Sequence, residues 1–261
     1  MEWHEARRCR VTGTKLQHIM GTPLARRQLI AELIAEKATE QSKIYRATAE
    51  MERGNAEEMF AIRAYEDLTG KKVEQPGMCI HDEADWLANS PDGLIANDKG
   101  VYTEAIEVKS PDSKKAILYR IENMVPMKET GLLTSFTKAE IMEVLDEEGI
   151  EYDPKSKVTE LEALLPAGQE GKPSATAPWL GIPSEYKWQV VNYFLVNKDL
   201  ERLHFIVWDP RFIQEDQKLY IVTVERDNKE LQKAVGEAIT AIESFRKDWM
   251  RWEEMVLPDN F

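Results

Sequence analysis

Cysteine is scarce, with only Cys9 and Cys79 among 261 residues. That excludes a disulfide framework and a Cys-rich zinc site, and makes reduced, structural thiols the default reading. No apolar run approaches the roughly 18 to 20 residues needed to cross a bilayer. The opening residues Met1-Glu2-Trp3-His4-Glu5 are polar and lack a signal-peptide apolar core. A cytoplasmic chain with no membrane partner is expected. Positive charge is also short, with 34 Lys and Arg against 47 Asp and Glu and a net charge of −13. This argues against a broadly basic nucleic-acid surface, because phosphate neutralisation dominates such binding. Locally the balance reverses. Arg7, Arg8, Arg10 and Lys15 fall between Ala6 and Lys15 with no acid among them, and Arg26 and Arg27 follow. They read either as a solvated basic face or as a local grip on nucleic acid.

What the chain does have is core-forming material. A hydrophobic fraction of 43% with 7 Trp, 8 Tyr and 7 Phe supports a globular fold of one large domain, or a domain with an insertion. The N-terminal third has helical spacing from Pro23 to about Thr39. A second helix is expected after Gly54-Asn55, with Asn55 as its cap and Gly70 as its stop. From Val73 the texture changes to short β-rich runs, at Met78–His81, Trp86–Asn89, Gly93–Ala96 and Ala105–Lys109. A helix at Tyr186–Asn197, strands at Leu203–Trp208 and Leu219–Glu225, and a long helix from about Asn228 complete the order. This is an α/β pattern with a mixed central sheet flanked by helices.

One segment stands apart. Thr137–Glu148 is a short amphipathic pattern closed by Gly149, a second short helix is expected from about Lys157 to Leu165, and Pro166–Pro178 has linker composition. It is similar to helix-extended-loop-helix and SAP-type modules, many of which bind nucleic acid. From Thr137 to Leu165 it holds three Lys and nine acids, a net of −6, which favours protein contact instead. The expected organisation is a core of residues 1–127 and 179–261 with a small all-α insertion at 128–178.

The most informative residues are Asp92, in Ser90-Pro91-Asp92-Gly93, and Glu107 and Lys109, in Ile106-Glu107-Val108-Lys109. A strand points residues i and i+2 to one face, so Glu107 and Lys109 look at one point. A carboxylate there can hold a hard cation, the Val108 carbonyl can add an oxygen ligand, and an ammonium can polarise the attacking water. By itself, Glu-Val-Lys is equally an ordinary half-exposed strand.

Other signals occur in order around it. Trp3-His4, Arg7, Thr12-Gly13-Thr14, Gly54 with Glu58, Ser90-Pro91-Asp92-Gly93, Glu107-Val108-Lys109 and Tyr186-Lys187-Trp188-Gln189 continuing to Tyr193 follow one another. This succession resembles the lambda exonuclease (YqaJ-type) family of phage recombination nucleases, within the PD-(D/E)XK superfamily. The resemblance implies a restriction-endonuclease-like core in which Asp92, Glu107 and the Val108 carbonyl hold catalytic Mg²⁺. Two ions are implied, with Mn²⁺ as a substitute, and Glu58 completes the second ion or its water shell. Glu57 is the neighbouring alternative to Glu58. Lys109 would activate the water, and Gln189 would orient it or the scissile phosphate. Arg7, Thr14 and Ser90 would bind a terminal 5′-phosphate, which suits a fork of donors and hydroxyls. Tyr186 and Tyr193 are either DNA contacts or aromatic packing. His81 reads as a satisfied histidine, and Asp82, Glu83 and Asp85 as a solvated loop.

The implied activity is 5′-to-3′ digestion of one strand of duplex DNA ends, leaving 3′ overhangs for recombination by strand annealing. A homotrimeric ring, a single-strand annealing protein as partner and a phage or prophage origin in a bacterial cell come with the resemblance. A restriction- or repair-type endonuclease and a non-catalytic recruitment protein are the alternative readings.

Overall fold

The computed structural model describes residues 3–42, 48–124, 138–166 and 178–257. The chain divides into two compact units, Met1–Ile117 with Tyr186–Phe261, and Leu118–Glu185. The second takes in more chain than the expected 128–178, because a helix that starts in the first unit runs on into the second. Residues 128–137 and 167–177 of the expected insertion and linker lie outside the described residues.

In the first unit, α1 (Trp3–Arg7), α2 (Gly13–Met20), α3 (Pro23–Thr39) and α4 (Ala49–Thr69) precede the strands. Thr22 caps α3 by accepting from the Ala25 N–H at 3.2 Å, and Pro23 occupies the first turn, where its missing N–H costs nothing. α4 starts earlier than expected. The Glu52 N–H already bonds the Thr48 carbonyl at 2.9 Å, so Gly54 and Asn55 lie inside the helix instead of capping it.

β1 (Cys79–His81) and β2 (Ala84–Asn89) form an antiparallel pair, while β3 (Gly93–Ala96) and β4 (Tyr102–Lys109) begin the main sheet. α5 (Ser113–Met124) follows. The second unit then supplies α6 (Lys138–Glu147) and α7 (Val158–Glu162). Back in the first unit come α8 (Lys187–Val196), β5 (Arg202–Trp208), α9 (Glu215–Lys218), β6 (Leu219–Glu225) and α10 (Lys229–Val256). The main sheet has the order β3-β4-β5-β6, with β4 and β5 parallel and the outer pairs antiparallel.

Alternation along β4 decides what each face does. Ile106 and Val108 join Ala61, Ile62 and Tyr65 of α4 and Ile206 and Trp208 of β5 in one apolar cluster. Glu107 and Lys109 therefore point to the opposite face, toward α8. On the α4 face, Glu104 accepts from Lys71 Nζ at 2.5 Å and Arg202 Nη1 at 3.2 Å, and lies 2.6 Å from His204 Nε2. α10 buries Leu231, Ala234, Ala238, Ile242, Phe245 and Trp249, a stripe at helical spacing, behind an Asn228 cap.

Within the second unit, Ile141, Leu145 and Leu161 form a small core with Ile150, Tyr152 and Leu165 packed on it. Gly149 ends α6 in the left-handed region (φ 68°), and the Ile150 N–H returns to the Leu145 carbonyl at 2.8 Å. Among the described residues no helix is long and apolar enough to cross a membrane.

Candidate active site

Asp92 ends the turn that leads into β3, and Gly93 must follow it because a Cβ there would overlap the Val73 side chain. Asp92 Oδ2 accepts the Val108 N–H at 2.7 Å. This bond docks the aspartate on β4 between Glu107 and Lys109. In an extended strand the N–H and C=O of one residue point to the same edge, so the Val108 carbonyl turns toward Asp92 as well.

Glu107 is 2% exposed and fully engaged. Its Oε1 pairs with Lys109 Nζ and accepts from Gln189 Nε2 at 2.6 Å, while Oε2 accepts from the Tyr193 hydroxyl at 2.5 Å. Lys109 also stands over the Tyr186 ring, 5.0 Å from its centre. Burial and the charge of Glu107 push the Asp92 carboxyl well above the usual carboxylate range, against Lys109 and the Val108 N–H. For Lys109, burial works to lower the pKa, but Glu107 and Asp92 outweigh it and hold the ammonium above its ordinary value.

Of the two candidate glutamates on α4, Glu58 is the one that senses the site. Burial and then Glu107 raise its pKa, and its Oε1 accepts from Gln75 Nε2 at 3.2 Å. Glu57 turns instead toward Arg53, at 4.0 Å. Among the described residues no three His, Cys, Asp or Glu side chains converge as a ready-made cation cage. Glu58 thus stands apart from the Asp92–Glu107 pair. The donor chemistry nevertheless suits a hard divalent cation: two adjacent, partly or fully buried carboxylates with a strand carbonyl alongside, and one carboxyl driven toward protonation by burial and then by its neighbour.

The three residues expected at a terminal phosphate lie on adjoining backbone. The Val11 N–H bonds the Trp86 carbonyl at 2.7 Å, and the Ala88 N–H bonds the Val11 carbonyl at 3.0 Å. This parallel bridge brings Thr12–Thr14 beside Ala88–Ser90. Arg7 Nη2 donates to Thr12 Oγ1 at 2.9 Å, and Thr14 is exposed in the first turn of α2. Ser90 Oγ is buried without a hydrogen-bond partner among the described residues.

Tyr193 is 2% exposed and its hydroxyl is committed to Glu107, an arrangement of the packed kind among its two expected readings. Cations of the N-terminal basic stretch are engaged within the protein. Arg8 donates to the Glu40 carbonyl, Arg10 to the Asp85 and Ala6 carbonyls, and Lys15 pairs with Glu32 and Glu36. The readings of His81 as satisfied and of Asp82 as solvated are unchanged: His81 Nδ1 accepts the Glu83 N–H at 3.1 Å, and Asp82 pairs with Lys198 in solvent. Sequence reasoning did not see that Tyr193 supports Glu107. The four-residue spacing from Gln189, which puts both on one helix face, was the available signal.

Residues 2–129 match the family described as the YqaJ-like viral recombinase domain. The N-terminal part of the chain is thus similar to that domain. The matched stretch contains Arg7, Thr14, Glu58, Ser90, Asp92, Glu107 and Lys109, whereas Gln189 and Tyr193 lie beyond it. The chain is similar in fold to an alkaline exonuclease, LHK-Exo, from Laribacter hongkongensis. That structure has TM-score 0.63 and 21% identity over 97% of this chain and 94% of that one. A structure of LHK-Exo in complex with dAMP gives the same TM-score and coverage at 20% identity. A phage-related exonuclease from Haemophilus somnus 129PT matches with TM-score 0.50 and 12% identity over 95% of both chains. No curated protein matches. These structures speak for the mixed α/β fold.

Proposed function

We propose that this protein is a metal-dependent DNA exonuclease that starts from a 5′-phosphorylated duplex end. In this reading it digests one strand in the 5′-to-3′ direction and leaves a 3′ single strand for recombination by annealing. The observation that supports it best is the joining of two half-sites. Asp92, Glu107 and Lys109 meet on β4, and Gln189, which holds Glu107, also touches the α2 start beside Thr14: a side chain at Gly13 would lie 3.1 Å from Gln189 Cγ.

Asp92, Glu107 and the Val108 carbonyl would hold Mg²⁺, or Mn²⁺ in its place, with Glu58 serving a second ion through water. Bound metal would supply an acidified water and charge neutralisation at the phosphate. The chain's own groups do the rest. Lys109 presents an ammonium where negative charge grows, Gln189 and Tyr193 keep the Glu107 carboxylate in one orientation, and Arg7, Thr14 and Ser90 grip the terminal phosphate. The reading extends to a cytoplasmic, phage- or prophage-encoded homotrimer that works with a single-strand annealing protein.

A single gel tests it. Linear duplex with a 5′-phosphate, the same duplex with a 5′-hydroxyl, and a closed circle are incubated with Mg²⁺. Rapid loss of the first, slow loss of the second and an intact circle are expected. Equal cutting of the circle would make the protein an endonuclease.

A further inference from the structure

Asn192 lies three residues after Gln189 and beside Tyr193, on the face of α8 that holds Glu107. It is completely buried. Its Nδ2 donates to the Ala88 carbonyl at 2.9 Å, and a side chain at Gly13 would lie 3.7 Å from the same nitrogen. Its Oδ1 has no hydrogen-bond partner among the described residues. An aliphatic side chain would fill this space without burying an unpaired carbonyl, so packing alone does not call for an amide. The amide supplies direction.

Its target is a junction. Ala88 donates its N–H to the Val11 carbonyl and accepts from Asn192 Nδ2 at its own carbonyl, and Ser90 follows two residues later. The segment expected to hold the terminal phosphate is thus pinned to α8. The same helix pins Glu107 through Gln189 at 2.6 Å and Tyr193 at 2.5 Å.

We infer that Asn192 is a positioning residue that fixes the distance between the 5′-phosphate pocket and the cleavage point. It thereby sets how far from the end the first bond is cut. This rests on the proposed exonuclease reading.

The test uses linear duplex labelled on its 5′-phosphate, with Mg²⁺, and sizes the labelled product. The wild-type protein should release label in one length. Asn192→Asp, which keeps the shape and removes the donor, should spread label over two or more lengths. It should also lower the kcat/KM preference for 5′-phosphate over 5′-hydroxyl by about tenfold, mainly through KM. Gly13→Ala adds a methyl that presses on Gln189 Cγ at 3.1 Å and meets Asn192 Nδ2 at 3.7 Å, and should broaden the products in the same way. It also covers the case in which Asn192→Asp does not fold. A purely structural Asn192 would lower the melting temperature and the rate but leave product length and end preference unchanged. That outcome, or unchanged products in Gly13→Ala when Asn192→Asp is insoluble, overturns the inference. A wild-type protein that leaves duplex ends intact in Mg²⁺ and Mn²⁺ removes the exonuclease reading and this inference together. Unaltered variants beside an active wild type remove only the inference.

Discussion

The Tyr193 hydroxyl donates to Glu107 Oε2 at 2.5 Å across 86 residues of sequence. Burial and then Glu107 push the phenol well above its ordinary pKa, so it stays a donor throughout the working pH range. Tyr193→Phe keeps the ring and removes that donor. A hydrogen bond to a buried charge contributes about 1.5–3 kcal/mol, so cleavage should slow by roughly 10- to 100-fold with KM little changed. Steady-state kinetics on 5′-phosphorylated duplex check this. A fall in DNA affinity at constant kcat would mean that Tyr193 contacts DNA after all.

Lys109→Ala should separate binding from cutting. The ammonium faces Glu107 and the Tyr186 ring, not the expected phosphate pocket. Loss of a group placed at developing charge costs on the order of 100-fold in rate. Gel-shift affinity without metal should stay within a few-fold of wild type. A large affinity loss at near-normal turnover would move Lys109 from the chemistry to the grip.

Ser90→Ala should act in opposite directions on stability and on end recognition. The hydroxyl is buried with no hydrogen-bond partner among the described residues, so its removal should leave the melting temperature unchanged or higher. KM for 5′-phosphorylated ends should rise about tenfold, while 5′-hydroxyl ends are unaffected. Equal effects on both ends would place the phosphate elsewhere.

Acid should weaken the fold in two stages through the Glu104–His204 pair. Burial, opposed by Glu104, holds His204 below its ordinary pKa. The unfolded chain therefore takes up the proton first, and stability falls as pH drops below about 6.5. For Glu104 burial works upward, but the Lys71 and His204 hydrogen bonds outweigh it and hold the carboxyl low. Its contribution is present above about pH 4.3 and is lost as pH falls through the lower folded value. Melting curves between about pH 8 and about pH 2, taken in about half-unit steps, should show both stages. His204→Gln should lack the upper one. An upper stage that persists in that variant belongs to another group.

The strand that carries Glu107 and Lys109 was legible because its information is local. Period-two alternation alone puts Glu107 and Lys109 on one face and Val108 on the other. The helix from Pro23 and the Gly149 stop were legible for the same reason. What the sequence hid depends on distant partners. The pairing of Val11 with Leu87, which joins the Thr12–Thr14 segment to Ser90, leaves no trace in either stretch. Tyr193 stays open between DNA contact and packing, and Asn192 carries no signal, until Glu107 and Ala88 are set against them. The helices α2 and α5 went unread, and α4 was started late because Gly54-Asn55 has the composition of a helix boundary although the helix runs through it.

The central claim is that Asp92, Glu107 and Lys109 form a metal-dependent nuclease centre. The most direct measurement is nucleotide release from labelled linear duplex against Mg²⁺ concentration, for wild type and Asp92→Asn. Release should saturate with Mg²⁺ in the wild type, stop with chelator, and fall on the order of 100-fold or more in Asp92→Asn. Wild-type release that ignores Mg²⁺, or an Asp92→Asn protein as fast as wild type, would contradict the claim.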